Sequence, residues 1–330
     1  MRRGHFEALR PLCPLCRAPL TIGTVARECG EHVIEGIVVC ANGGCRREYP
    51  VIDGIPIFVA AIRTWMSANP LQVLQRDDLS PELESLLGDA QGPASHFDVV
   101  RQHVSTYAAD YEREVQPAVE RTAAMLSHAP TGAAIDLGCA AGCGTYALAA
   151  RTGRLTLGID ANFSMLRVAS TLLREGRLRY ARRRVGLVYD RRDLALDVAG
   201  RALADFWCCD AAALPFADAT FAAATALNVA DCVAAPRELV AEAARVVAGG
   251  GGAVFATPYD WAPGATPVEQ WLGGHSQRGP GAGASEPVLR AVLAANGFEI
   301  AAEDEVPWRL RLHERSSVEY AVHVVSALRT

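Results

Sequence analysis

Residues 133–144 read Ala-Ala-Ile-Asp-Leu-Gly-Cys-Ala-Ala-Gly-Cys-Gly. An apolar run ends in Asp136, glycines come at 138, 142 and 144, and a helical pattern starts at Thr145. That order predicts a strand, a tight loop and a helix. Glycines there let the backbone approach a bound ligand closely. The spacing is not the G-x-G-x-x-G that cradles a pyrophosphate. An ordinary glycine turn is the plain alternative, so the companion motifs further along the chain decide between the two.

Beyond the loop, Leu-Thr-Leu-Gly-Ile-Asp at 155–160 is a short apolar strand ending in an acid. Asp160 lies 24 residues beyond Asp136. An acid at the end of a second strand, about that far on, fits two ribose hydroxyls. A helix-capping Asp is the other reading, since the next segment is a helix that Asn162 or Ser164 can cap. The next strand, near 204–209, ends at Asp210-Ala211 and runs into Leu-Pro-Phe. A fourth strand near 220–228 ends at Asn228, with Asp231 just beyond, at the edge where ligands bind in open α/β sheets. Pro236 starts an amphipathic helix over 236–248, Gly249 to Gly252 end it, and 253–257 is a fifth strand. These alternations predict an α/β fold.

Asp-Leu-Gly-Cys-Ala-Ala-Gly-x-Gly at 136–144 resembles the first motif of class I S-adenosylmethionine (SAM) methyltransferases. The resemblance implies a Rossmann-like seven-stranded sheet. It implies that the cofactor rests on Asp136, Gly138, Cys139, Ala140 and Gly142, with Asp160 and Ala161 at the ribose. Asp210 and Ala211 resemble the motif in which an acid meets the adenine amino group, and Asn228 closes the site. Similar enzymes place a tyrosine-bearing helix before the first strand as a cover over the cofactor. Residues 96–128 read as helical with a break at Pro117, and Tyr107 and Tyr111 are candidates for that cover; aromatic core packing is the alternative.

Upstream, Cys13-Pro-Leu-Cys16 is one knuckle and Cys40-Ala-Asn-Gly-Gly-Cys45 a second. Two such turns can make a tetrahedral four-thiolate zinc site, which leaves no open position and is therefore structural. Two disulfides or free thiols are the alternative. Cys29 lies between the knuckles as a bystander. With Tyr-Pro-Val-Ile-Asp-Gly-Ile-Pro at 49–56, the block resembles the zinc ribbons of small methyltransferase-associated proteins. The expected organisation is a zinc ribbon over 1–60, a linker over 61–95 with a short helix at 81–87, and a SAM-dependent methyltransferase domain over 96–330.

Substrate information lies after the fifth strand. Pro258-Tyr259-Asp260-Trp261, then Thr266-Pro267 and Trp271-Leu-Gly-Gly-His275, resemble the methyltransferase domain at the C-terminal end of ovothiol synthases. The segment from Val306 to Arg315 continues the resemblance more loosely. The resemblance covers roughly residues 100–330. It implies N-methylation of an imidazole or a similar small nucleophile. This chain lacks the sulfoxide-synthase portion of that family, and Ser316 and Ser317 stand where the family has basic residues. Tyr259, Trp261, Trp271 and Trp308 could box a flat ring. Asp231 and Asp260 are substrate-side carboxylates. If the reaction uses a base, His275 is the first candidate and Glu314 the second, with Tyr259 beside them.

Composition bounds the partners. The chain has 330 residues, half of them hydrophobic, and a net charge of −5. Every one of its 32 basic residues is Arg. The net charge opposes a whole-chain electrostatic nucleic-acid binder. Eight arginines in 174–192 are the exception and keep an rRNA or tRNA base methyltransferase as the alternative; a solvated helix face or a hairpin insert is the other reading. No run of about 18 apolar residues suggests a membrane span, and the start lacks the apolar core of a signal peptide, so a cytoplasmic enzyme acting on a small molecule is expected.

Overall fold

The computed structural model describes residues 1–76, 79–113, 115–126 and 130–330. The end of the expected 96–128 helical stretch thus lies outside the described residues. Thirteen strands are present among the described residues: β1 (Leu20–Cys29), β2 (His32–Cys40), β3 (Glu48–Ile52), β4 (Ile55–Phe58), β5 (Ala134–Leu137), β6 (Thr156–Asp160), β7 (Arg177–Val185), β8 (Val188–Ala195), β9 (Ala204–Cys209), β10 (Phe221–Leu227), β11 (Val247–Thr257), β12 (Phe298–His313) and β13 (Ser316–Arg329).

Eleven of them form one sheet in the order β1-β2-β3-β4-β9-β6-β5-β10-β11-β13-β12. The seven strands from β9 to β12 are the α/β unit expected from the sequence. Strands β9, β6, β5, β10 and β11 are parallel, and β13 and β12 run antiparallel at the end. The short apolar strands β5 and β9 are buried at every position, as parallel strands covered on both faces must be. Their order turns back at β5, so the crevice outside the carboxyl ends of β5, β6 and β10 is where an open sheet binds ligands.

The sheet is wider than the expected seven strands. β4, buried at all four positions, pairs parallel with β9 through Ile57–Cys208 and Phe58–Cys209. An uncovered β9 would present a row of unpaired backbone groups; the cysteine-rich N-terminal unit covers it. Arg2 reinforces the join: its backbone N–H donates to the buried Asp205 Oδ2 at 3.0 Å, and its guanidinium reaches the Ala204 carbonyl at 2.9 Å. Cys208 and Cys209 are both buried packing residues.

β11 starts at Val247, before the glycines rather than after them. The arginine-rich stretch is the β7–β8 hairpin. Within the described residues, no helix is long and apolar enough to cross a membrane.

Candidate active site

Asp136 lies near the end of β5 and is buried. Its Oδ2 accepts from Thr145 Oγ1 at 2.6 Å and its Oδ1 from Thr225 Oγ1 at 2.7 Å. Burial raises its carboxyl to about 6, against the pull of those two hydroxyls. The adjoining loop needs its small residues. A Cβ on Gly138 would run into the Val229 side chain, and one on Gly142 would sit 2.6 Å from Phe206; both have positive φ. Gly158 on β6 leaves room for the Cys139 thiol and Thr145, each 2.9 Å or less from where its Cβ would be.

Asp160 closes this loop. Its Oδ2 accepts the Ala140 N–H at 2.9 Å and its Oδ1 the Asn162 N–H at 2.8 Å. The carboxylate is therefore fixed toward the glycine loop, and burial raises its pKa. Asn162 caps the next helix by accepting from Met165 N, so the capping role falls to Asn162 rather than Asp160. Ala161 and Asp210 are exposed at the neighbouring strand ends, with Ala211 half-buried beside them. Asn228 has φ 54°, and its Oδ1 is buried without a hydrogen-bond partner. Such an orphaned acceptor in a crevice is a place for a ligand donor.

Helix His96–Ala108 and the turn after it lie over the loop. The Tyr111 hydroxyl donates to the Ala141 carbonyl at 2.7 Å. Burial raises the Tyr107 pKa, and the charges of Cys232, Asp160, Tyr320 and Asp231 add to the rise.

On the other side of the crevice, the buried Asp231 accepts the Asp260 N–H at 3.0 Å and so holds the loop after β11. Burial raises the Asp231 pKa. Asp260 Oδ2 accepts from the Tyr320 hydroxyl at 3.0 Å. Tyr259, at φ 57°, places its hydroxyl 2.7 Å from His323 Nδ1. His323 Nε2 is 2.9 Å from Glu303 Oε2, and Arg290 forks onto Glu303 at 2.7–3.2 Å. Those two partners hold the Glu303 carboxyl down at about 2. His323, Glu303 and Tyr320 carried no motif in the sequence; the β11–β13 register brings His323 and Tyr320 toward Tyr259 and Asp260, and the β12–β13 register sets Glu303 beside His323.

The expected aromatic box is not assembled. Trp261 and Trp271 stack on one another at 5.7 Å and 11°, which leaves no gap for a ring between them. Trp308 is buried in a different cluster, with Val119, Leu148 and Val322, away from Trp261 and Trp271. Glu314 is not brought to the crevice: it is exposed at the β12–β13 turn, 4.0 Å from Arg184 of the hairpin. His275 is exposed, one residue past Gly274, whose Cβ position lies 3.1 Å from Trp261.

Most of the hairpin arginines are engaged with acids, while Arg183 donates to the Gln102 side chain and the Gly186 carbonyl. Glu112 accepts from Tyr180, Arg182 and Arg192, Arg177 pairs with Asp193, and Arg191 pairs with Glu84.

The thiols of Cys13, Cys16, Cys40 and Cys45 lie within 4.8 Å of one another. Cys16 and Cys40 are 3.4 Å apart, too far for a disulfide and close to the spacing of thiolates around one tetrahedral ion. The backbone hydrogen bond at Ala18 and the neighbouring thiols lower the Cys16 pKa to about 7.

Residues 135–255 match the protein family described as a methyltransferase domain, a span that runs from β5 to β11. No curated protein matches the chain. Among solved structures it is similar to a SAM-dependent methyltransferase of Methanosarcina mazei, at 20% identity over 66% of this chain and 99% of that one, with a TM-score of 0.43. It is similar to a geranyl diphosphate methyltransferase in complex with SAM, at 16% identity over 72% and 93%, with a TM-score of 0.46. The YcgJ protein of Bacillus subtilis is a further likeness, at 16% identity over 64% and 97%, with a TM-score of 0.43. Residues 135–255 are a methyltransferase domain, and the chain is a methyltransferase enzyme.

Proposed function

We propose that the chain transfers the methyl group of SAM to a nitrogen of an imidazole, or to a similar small heteroatom nucleophile, by in-line displacement. The observation that carries the cofactor half is Asp160, whose carboxylate two backbone N–H groups aim at the glycine loop. The residues fit the group: the loop leaves no space for Cβ atoms at Gly138 and Gly142, and the orphaned Asn228 acceptor lies at the same edge. In this reading Asp160 accepts from the ribose hydroxyls. Asp210 accepts from the adenine amino group, and the Ala211 N–H meets a ring nitrogen. Tyr107 excludes water from above.

SAM supplies an already activated methyl group, so the chain's own contribution is alignment and desolvation. A neutral imidazole nitrogen needs no prior deprotonation. Asp231 and Asp260 then orient the N–H of the nucleophile, and Tyr259, held by His323, lines the same edge. His275 stays in the reading as a donor or acceptor on the exposed loop.

Cys13, Cys16, Cys40 and Cys45 fit a structural zinc ion, with a ribbon unit over 1–60 joined to the methyltransferase domain by 61–95. The rRNA or tRNA reading is disfavoured by the ion pairs that engage the hairpin arginines. Turnover with SAM against a panel of imidazole, thiol and amine metabolites, read by mass spectrometry, tests the assignment. A methylated imidazole supports it. Methylation confined to an RNA substrate, with binding that weakens steeply as salt rises, refutes it.

A further inference from the structure

A second cavity, of about 400 Å³, lies among helix Pro81–Asp89, helix His96–Ala108, the start of helix Phe163–Glu175 and the β7–β8 hairpin. None of the residues assigned above to cofactor or nucleophile lines it. Its walls are largely apolar, with Leu87, Phe97, Val100 and Val104 among them.

Two polar groups in it are unmatched. The first is the Arg101 guanidinium, which stacks 3.9 Å over the Tyr189 ring and 5.3 Å from Phe97. Other cavity arginines have counter-ions: Arg167 has Asp53, Arg179 has Glu175 and Arg191 has Glu84. Among the described residues Arg101 forms no ion pair; Glu84, Asp98 and Asp89 act on it only from a distance. The second is Ser164. It is 8% exposed, its Oγ has no hydrogen-bond partner, and it lines the same cavity from the first turn of its helix. A buried hydroxyl left unpaired and a half-desolvated cation without a counter-ion both cost stability. The positive end of the helix adds to the preference for an anion.

We propose that this cavity binds a small apolar molecule carrying one anionic head, with Arg101 as counter-ion and Ser164 as hydrogen-bond donor. A guanidinium fork suits a carboxylate or a phosphate monoester equally. A cavity of this volume is in the range of small-ligand sites and matches a short apolar chain rather than a macromolecule.

Calorimetry on the full chain with decanoate, decyl phosphate and decanol tests it. One of the two anions binds one per chain, at least tenfold more tightly than decanol, and the better of the two identifies the head. Arg101→Gln weakens that binding at least tenfold, while Leu87→Trp, which fills the cavity, blocks it. Thermal midpoints near that of the wild type show that both variants are folded. No anion binding, equal binding of decanol, or an Arg101→Gln variant that binds as the wild type does overturns the proposal. None of these readouts depends on methyl transfer, so the proposal is tested independently of the enzymatic assignment.

Discussion

Tyr259 and His323 meet across β11 and β13 with Oη and Nδ1 2.7 Å apart, although 64 residues separate them in sequence. Thr257, two residues before Tyr259, is the cross-strand neighbour of His323. The hydroxyl at the crevice is thereby fixed by a histidine that Glu303 holds from behind.

Removing His323 leaves that hydroxyl without its partner, at a cost of about 1–3 kcal/mol if it stays buried. His323→Phe should therefore lower kcat/KM about tenfold for the methylated metabolite, with S-adenosylhomocysteine affinity unchanged. Steady-state kinetics and calorimetry on the same preparation check both halves. An unchanged kcat/KM removes Tyr259 from the substrate edge.

Glu303 predicts an acid-side stability change. Arg290 and His323 depress its folded pKa from the ordinary 4.5 to about 2. The stability this contributes is present above pH 4.5 and is lost as pH falls toward 2. Denaturant unfolding of the wild type and Glu303→Gln should differ above pH 4.5 and converge near pH 2.

The four cysteines predict one zinc per chain by elemental analysis. Cys13→Ala should lower that content and the thermal midpoint together, because metal binding and folding of so small a unit are coupled. Full metal content in the variant would rule out the four-thiolate site.

The residues flanking the first knuckle also touch the loop that follows Asp210. Arg17 donates to the Leu214 carbonyl at 2.7 Å and to the Phe216 carbonyl, and the Leu12 N–H donates to the Pro215 carbonyl at 2.7 Å. Arg17→Ala should loosen that loop and weaken S-adenosylhomocysteine binding about threefold to tenfold while zinc is retained. Calorimetry beside metal analysis separates this from simple loss of the metal.

Local chemistry made much of this legible. The run around Asp136 and Gly138, and the acid at Asp160, depend on strand–loop–helix punctuation that lies within a few residues. The cysteine knuckles are likewise local signals. The β4–β9 pairing was not legible, because nothing in Ile55–Phe58 names a partner about 150 residues away. His323 and Glu303 read as ordinary strand residues until the register of β12 against β13 is known. The aromatic box failed for a related reason: position along the chain put four rings near expected strand ends, but it could not say that Trp308 packs into a different cluster or that Trp261 and Trp271 stack together.

In the proposed site Asp160 holds the sugar of a sulfonium nucleoside over the glycine loop. Titration calorimetry of S-adenosylhomocysteine into the wild type and Asp160→Ala measures this directly. One site per chain in the wild type, and affinity at least tenfold weaker in the variant with an unchanged thermal midpoint, is the predicted result. No binding to the wild type, or equal affinity in both proteins, would contradict it.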